Sequence, residues 1–171
     1  MQELTFDVAF DRLMGNEGGL TMNPNDRGNW TSGKPGVGQL KGSKWGISAA
    51  SYPDLDIKNL TRADAADIYK RDFWQQTEGL HPSLLFQMFD AAVNHGIQTS
   101  IKFLQRAVQV PADGKIGPMT LGAIGKVFVA DLLMLYMAER LEFWAAIPGT
   151  EFDDGWMRRA ATNLRFAAQD D

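Results

Sequence analysis

Apolar residues recur at helical spacing along most of the chain, and capping residues mark where helices begin and end. Thr5 can cap a first helix whose apolar side carries Phe6 and Phe10, and Gly15 is a stop signal after it. A short helical piece is predicted at about residues 45–50, ended before Pro53. Further helices are predicted at about residues 61–76, 82–95, 101–108, 119–125, 128–147 and 154–168.

Alternation of apolar and polar residues, which marks half-buried strands, is scarce along the whole sequence. Short β-structure is expected only around residues 20–45, as part of a long loop or as a small β-hairpin. The predicted fold class is therefore mainly α, in a single compact multi-helix domain. A compact domain seldom contains a structureless connection of about 25 residues unless that connection is functional or disordered. The loop after the first helix therefore becomes the first place to look for chemistry.

Composition and charge narrow the classes of protein that fit this sequence. The chain has 171 residues, 44% of them hydrophobic, which suits one domain. It has no cysteine and only two histidines, outside any metal-binding spacing, so neither a disulfide framework nor a zinc site is expected. A net charge of −4 disfavours general nucleic-acid binding. The first ten residues lack the basic and apolar regions of a Sec signal peptide, so none is expected there.

Two acids flank the start of the long loop. Glu17 follows the predicted end of the first helix, where free carbonyl groups and apolar neighbours favour the protonated carboxylic acid. Asp26 stands among Asn23, Arg27 and Asn29, polar groups that favour an ionised carboxylate. Two acids in opposite protonation states are the arrangement that glycoside hydrolysis requires. By spacing alone, both residues could equally be ordinary surface acids.

Several short motifs, in a fixed order, resemble the N-terminal pattern of glycoside hydrolase family 108. They are EGGL at 17–20, NDRG at 25–28 and KWGIS at 44–48. The second half resembles the peptidoglycan-binding region that accompanies this family. Its matching segments are DAAVNHG at 90–96, DGKIGP at 113–118 and GWMRR at 155–159. Together these matches extend over nearly the whole chain.

The resemblance implies a lysozyme-like α+β fold and a cell-wall muramidase that needs no cofactor. It implies a catalytic region at 1–89 and a helical wall-binding-like region at 90–171, packed into the same globule. Glu17 would be the general acid and Asp26 the base or electrostatic partner. Ser43 stands where the family usually has threonine, and its hydroxyl would hold the attacking water. Serine lacks the methyl group that restricts the threonine rotamer.

Three further residues are candidates for contact with the substrate. Trp30, in the loop, can stack on a sugar ring. Asn94 and His95 could line the sugar groove, and the alternative is that they cap a helix and complete the core. Asp113 lies in a turn that is mainly structural in similar wall-binding repeats, so it is not nominated as catalytic.

The expected substrate is the peptidoglycan glycan strand, cleaved by a monomeric enzyme. Two rivals are a lytic transglycosylase and a non-catalytic wall-binding or secretion-assisting protein on the same scaffold. Without a signal peptide, synthesis in the bacterial cytoplasm and later release to the wall is expected, as for a phage endolysin. In the last helix, Arg158, Arg159 and Arg165 could make a weak contact with the outer membrane, and the alternative is that this helix simply packs on the domain. The residues predicted to face inward there are Trp156, Met157, Ala160, Ala161 and Leu164.

Overall fold

A computed structural model of the chain describes residues 4–15, 19–77, 79–147 and 153–170. Within these residues the structure is mainly helical, as predicted. The helices are α1 (Phe6–Met14), α2 (Arg62–Tyr69), α3 (Pro82–His95), α4 (Ile97–Ala107), α5 (Pro118–Ile124), α6 (Val129–Ala145) and α7 (Asp153–Asp170). The strands β1 (Ser43–Lys44) and β2 (Ile47–Ser48) form an antiparallel hairpin. Shorter turns are the 3₁₀ turns Arg27–Asn29 and Ile57–Asn59 and the π-helical turn Lys70–Trp74.

Backbone contacts divide the chain into two compact units. The N-terminal unit is Phe6–Arg71, and the C-terminal unit is Asp72–Asp171 together with Met1–Thr5. The sequence-based division at residues 89 and 90 concerns function and stays a prediction.

In the N-terminal unit, the first and second helices are joined through an aromatic contact. The rings of Phe10 on α1 and Tyr69 on α2 lie 5.5 Å apart and are almost completely buried. The start of α2 is fixed by the predicted cap: the Thr61 side chain accepts a hydrogen bond from the Asp64 backbone, and the Asp64 carboxylate accepts one from the Thr61 backbone. This capping box satisfies two of the amide groups that a helix start leaves without partners.

The predicted helical piece at 45–50 is wrong. Trp45 and Gly46 form the two-residue turn of the β1–β2 hairpin, with φ angles of 53° and 74°. Such a turn requires left-handed backbone at both central residues. The Tyr69 hydroxyl donates a hydrogen bond to the Trp45 carbonyl oxygen at 3.3 Å, and a Cβ atom at Gly46 would lie 2.3 Å from that hydroxyl. The contact with Tyr69, distant in sequence, therefore helps to set a turn that the local sequence does not show.

In the C-terminal unit, α3 is the central helix. Every residue from Ser83 to Ala92 is buried, as expected for a helix that is mostly apolar on all sides. It packs against α4, α6 and α7, and a cluster of buried side chains lies among these four helices. Within the described residues, no single helix has both the length and the apolar character to cross a membrane. The bent pair α5 and α6 passes that test together, by length and composition only.

The buried face of α7 differs from the prediction at two positions. Met157 is 50% exposed and Leu164 is 44% exposed, whereas Asn163 is 2% exposed. The buried face follows Ala160, Asn163 and Ala167, which are spaced by three and four residues. A prediction based on apolar residues does not include a buried asparagine. Here it therefore misplaced the buried face of α7 by one residue.

Candidate active site

The loop that follows α1 is an ordered ribbon. Thr21 and Ser43 exchange two backbone hydrogen bonds, at 2.8 and 3.0 Å, and on its other side Ser43 pairs with Ser48. Ser43 thus lies in the middle of three extended segments. Gly42 has a φ of +84°, and a Cβ there would lie 2.5 Å from the Thr21 carbonyl oxygen. Close approach of the backbone at Gly42 therefore places Ser43.

Asn29 is the residue that joins the parts of this ribbon. Its side chain is completely buried. Its Nδ2 donates to the carbonyl oxygen of Asn23 at 3.0 Å, and its Oδ1 accepts from the Ser43 hydroxyl at 2.9 Å. Its backbone carbonyl accepts from both Lys41 and Gly42. The sequence pattern had placed Asn29 beside the Asp26 carboxylate, but its amide side chain bonds Asn23 and Ser43 instead.

The two bonds of Asn29 fix the direction of the Ser43 hydroxyl. The carbonyl oxygen of Asn23 can only accept, so the amide NH₂ of Asn29 must face it. The amide oxygen then faces Ser43, and the Ser43 hydroxyl must donate its hydrogen to it. The oxygen lone pairs of Ser43 are left to accept a hydrogen bond from another group, such as a water molecule. Asn29 thus restricts the rotamer of the Ser43 side chain, as the methyl group of a threonine would.

Asp26 lies at the start of the 3₁₀ turn Arg27–Asn29 and caps it. Its Oδ1 accepts a hydrogen bond from the Gly28 backbone at 2.8 Å, and its backbone carbonyl accepts from the Asn29 amide at 3.2 Å. The side chain is exposed, and within the described residues its Oδ2 accepts no hydrogen bond. The carboxylate is therefore anchored through one oxygen and open to solvent through the other.

Trp30 follows this turn and is half-buried. Its indole Nε1 donates to the Pro24 carbonyl oxygen at 2.8 Å, and its backbone pairs with Leu40 across the ribbon. The ring is thus held at a fixed position in the unit that contains Asp26 and Ser43. Its role as a stacking surface for a sugar stays a prediction.

Glu17 lies outside the described residues, so its predicted role as the general acid stays a prediction. The end of α1 before it is described. The helix ends at Met14, and Gly15, with a φ of 51°, donates its amide hydrogen to the Asp11 carbonyl oxygen at 2.9 Å. The helix therefore stops where the glycine predicted it.

We expect Asn29→Ala to weaken both the fold and the site. The change removes one of the two hydrogen bonds that the Asn23 carbonyl oxygen accepts and also removes the acceptor of the Ser43 hydroxyl. Each lost hydrogen bond costs about 0.5–1.5 kcal/mol, so the two together cost about 1–3 kcal/mol. The free energy of unfolding, measured by urea denaturation, should fall by that amount, and glycan cleavage should slow. Asn25→Ala is the matched control because Asn25 is an exposed asparagine of the same loop. Its effect should stay within about 0.5 kcal/mol, and equal losses in the two variants would contradict the role given to Asn29.

The other two predicted substrate-binding residues, Asn94 and His95, belong to the C-terminal unit. Asn94 is exposed, and its Nδ2 donates to the Asp90 carbonyl oxygen one turn back in α3. His95 is half-buried, and its Nε2 accepts a hydrogen bond from the Trp144 indole at 3.0 Å. The His95 ring also packs at 5.1 Å from that of Phe143. A structural role is thus described for both side chains, and substrate contact stays a prediction.

His95 is held in its neutral form. Burial lowers its pKa to about 4, and the positive charge of Arg140 acts in the same direction. Because Nε2 accepts from Trp144, the single ring proton must be on Nδ1. The imidazole acts here as a fixed acceptor for an indole N–H group.

This lowered pKa predicts a specific dependence of stability on pH. As the pH falls below about 6.5, the histidine of the unfolded chain binds a proton, whereas His95 of the folded chain does not until about pH 4. The folded state should therefore lose stability across that interval. An NMR titration of the imidazole checks the pKa directly. His95→Gln, which keeps an acceptor, should flatten this part of the stability profile, and a pKa near 6.5 would contradict the prediction.

Asp90, on α3, is the centre of a buried charge network. Its carboxylate accepts hydrogen bonds from Arg140 at 2.6 Å, from Arg159 at 2.7 Å and from Asn163 at 2.7 Å. Burial alone would raise the pKa of Asp90, but the two guanidinium charges and these hydrogen bonds hold it below its ordinary value. Arg159 is therefore bound to Asp90, whereas Arg158 and Arg165, the other two arginines of the predicted membrane contact, are exposed.

The turn at Asp113–Gly114 is held by Gln105, which is 1% exposed. The Gln105 amide donates to the Asp113 carboxylate at 2.7 Å and accepts from the Gly114 backbone at 2.8 Å. Asp113 also accepts from the Lys115 backbone, and these bonds lower its pKa. The arrangement is a structural one, as expected for this turn. Among the described residues, no three His, Asp or Glu side chains are grouped so that they could hold a metal ion.

Comparisons with known proteins identify the family of this chain. The family model described as Glycosyl hydrolase 108 matches residues 10–96, which include Asp26, Trp30 and Ser43. A solved structure, "Structure of Brucella abortus SagA", is similar with a TM-score of 0.77 and 26% sequence identity, covering 95% of this chain and 94% of that one. A search of curated proteins finds no match. The chain therefore belongs to glycoside hydrolase family 108 and is a peptidoglycan-hydrolysing glycoside hydrolase.

Proposed function

We propose that this enzyme is an N-acetylmuramidase, which hydrolyses the β-1,4 bond between N-acetylmuramic acid and N-acetylglucosamine. The observation that carries the proposal is that one residue, Asn29, holds both Asp26 and Ser43 in place. The backbone N–H of Asn29 donates to the Asp26 carbonyl oxygen at 3.2 Å, and the side-chain Oδ1 of Asn29 accepts from the Ser43 hydroxyl at 2.9 Å. A carboxylate open to solvent and a hydroxyl with directed lone pairs are what a water-activating site requires.

In the proposed reaction, Glu17 donates a proton to the glycosidic oxygen while the bond from that oxygen to the anomeric carbon of muramic acid breaks. A water molecule attacks the anomeric carbon, and the Asp26 carboxylate takes one of its protons. The Ser43 oxygen accepts the other hydrogen of that water as a hydrogen bond. After product release, one proton transfer from Asp26 to Glu17 through solvent restores both groups.

The role of Asp26 as a base implies inversion at the anomeric carbon. An inverting enzyme places water between the carboxylate and the sugar, with its two carboxyl groups about 6.5–9.5 Å apart, whereas a retaining enzyme has them about 5–5.5 Å apart. Ser43 fits the first arrangement because its hydroxyl can position the water that attacks the anomeric carbon. NMR of the product immediately after cleavage should therefore show the α-anomer first.

Mass spectrometry of digested purified sacculi tests the proposed bond. Cleavage in H₂¹⁸O should give reducing muramic acid ends that carry one ¹⁸O atom. Products ending in 1,6-anhydro-muramic acid would instead establish a lytic transglycosylase, and new amino groups would establish an amidase or endopeptidase. Binding to sacculi without any cleavage would favour the non-catalytic alternative.

The route to the wall and the membrane contact are proposals of the same kind. Synthesis in the cytoplasm followed by release, as for an endolysin, is proposed from the sequence alone. On α7, the exposed side chains Met157 and Leu164 lie with the exposed Arg158 and Arg165, so a membrane contact would use these residues. Sedimentation with anionic lipid vesicles, compared for wild type and Arg158→Ala/Arg165→Ala, tests it.

A further inference from the structure

A cleft of about 310 Å³ opens beside the ribbon that carries Ser43. Its walls are formed by residues of that ribbon and of the segment before α2, among them Met22, Leu40, Lys41, Asp54, Asp56 and Lys58. Its volume is near the lower limit for pockets that hold small ligands. The proposed roles of Asp26 and Ser43 do not use it.

The cleft is continuous with the active-site ribbon. Lys41 is two residues before Ser43, so their Cα atoms are at most about 7 Å apart. Met22 follows Thr21, the backbone partner of Ser43, and its sulfur lies against Gly42, where a Cβ atom would be 2.5 Å away. A ligand in the cleft would therefore contact residues that neighbour Thr21 and Ser43 along the chain.

Two lysine side chains hold the far wall of the cleft in place. Lys41 Nζ donates to the Pro53 carbonyl oxygen at 2.6 Å, and Lys44 Nζ donates to the Lys58 carbonyl oxygen at 3.1 Å. Both ammonium groups are thus bound to backbone, and the ammonium of Lys58 is the remaining cation among the residues that line the cleft. Its wall is fixed by bonds that are independent of any ligand.

The lining combines both charges with apolar surface. The carboxylate of Asp56 accepts from the Asn59 side chain at 2.8 Å, and this bond lowers its pKa, so it stays ionised. Asp54 adds a second exposed carboxylate, while Met22 and Leu40 supply apolar surface. This lining matches a short peptide that carries carboxylates, an ammonium group and small methyl side chains.

We propose that this cleft binds the peptide stem of peptidoglycan, and so makes the enzyme prefer glycan strands that carry stems. The inference rests on the proposed muramidase function. The stem branches from the lactyl group on the third carbon of muramic acid, close to the bond that is cleaved. It contains alanine methyl groups, free carboxylates and, where it is not cross-linked, the ammonium group of a diamino acid. Lys58 binds a stem carboxylate, and Asp54 and Asp56 bind the ammonium group.

Two forms of one substrate test the proposal. Soluble glycan strands with uncross-linked stems are compared with the same strands after an amidase has removed the stems. We expect kcat/KM of the wild type to be about tenfold higher for the stem-bearing strands, a difference of about 1.4 kcal/mol. In Lys58→Ala and in Asp54→Ala this ratio should fall towards one. Lys34→Ala is the matched control because Lys34 is an exposed lysine of the same N-terminal unit that does not line the cleft.

Each other outcome has a definite meaning. Equal wild-type rates on the two substrates would overturn the proposal. An equal loss on both substrates in Lys58→Ala would show that the cleft binds the glycan itself, and a lowered ratio in Lys34→Ala would show a general charge effect; either result also overturns it. Binding of both strand types is measured alongside. Tighter binding of stem-bearing strands, lost in Lys58→Ala, without cleavage of either substrate would support the cleft and refute only the muramidase function.

Discussion

Replacing Glu17 with glutamine is expected to slow glycan cleavage by about a hundred- to ten-thousandfold. Glutamine has nearly the same size and shape, but its amide does not donate a proton to a leaving oxygen as a carboxylic acid does. The fold and the binding of sacculi should be retained. The decrease in turbidity of outer-membrane-permeabilised cells measures the lysis, and sedimentation with sacculi measures the binding.

Glu142→Gln is the matched control for this experiment. Glu142 is an exposed glutamate on α6 that is not one of the proposed site residues, and the same change there also removes one negative charge. Its lysis rate should equal that of the wild type. Lysis at the wild-type rate in Glu17→Gln would refute the assignment of the acid, whatever the reaction products are.

The second large effect is expected at Asp90. Asp90→Ala leaves Arg140, which is 0% exposed, without the carboxylate that it contacts, and breaking a buried ion pair in this way costs about 3–5 kcal/mol. The Nε and Nη1 atoms of Arg140 already have no hydrogen-bond partner among the described residues, so the Asp90 carboxylate is its main compensation. For a chain of this size the melting temperature should fall by roughly 6–20 °C.

The pH dependence of Asp90→Ala gives a second measurement. Because the pKa of Asp90 is lower in the folded state than in the unfolded chain, its contribution to stability is complete above about pH 4 and is lost as the pH falls further. The difference in unfolding free energy between wild type and variant should therefore narrow below about pH 4. A difference that is constant down to pH 2 would contradict the charge network.

Glu139→Gln is the control for burial in the Asp90 experiment. Glu139 pairs with Arg106 at 2.6 Å, but these side chains are 25% and 42% exposed. A pair in contact with solvent contributes about 1 kcal/mol or less. An equal loss of stability in Asp90→Ala and Glu139→Gln would show that burial does not govern these ion pairs.

Local signals in the sequence located the helices well. Thr61 and Asp64 form the predicted capping box, Pro82 lies in the first turn of α3, and Gly96 ends it. Each of these signals acts within one helical turn, through hydrogen bonds or backbone angles that neighbouring residues control. A prediction that uses only neighbours therefore succeeds at helix ends.

Prediction from neighbouring residues failed where contacts with residues distant in the sequence set the backbone conformation. Trp45 adopts left-handed backbone in the hairpin turn, which is uncommon for a bulky side chain. The Trp45 carbonyl oxygen accepts a hydrogen bond from the Tyr69 hydroxyl, and the first strand of the hairpin is also paired through Ser43 with Thr21. The inward face of α7 was misplaced for a related reason, because Asn163 is buried through its bond to Asp90.

The sequence by itself determined the helical class and the family, and it nominated Glu17 and Asp26 as the candidate acids, since these inferences depend on spacing and on short ordered motifs. Only the tertiary structure showed how Asn29 directs the Ser43 hydroxyl and that Asp90 binds two arginines. It also showed the cleft of mixed charge beside the ribbon. These features join residues 14, 50 and 69 positions apart in the chain. A single buried polar side chain does not contribute to the apolar periodicity from which helix faces are predicted. Its hydrogen-bond partner can therefore be identified only in the folded structure.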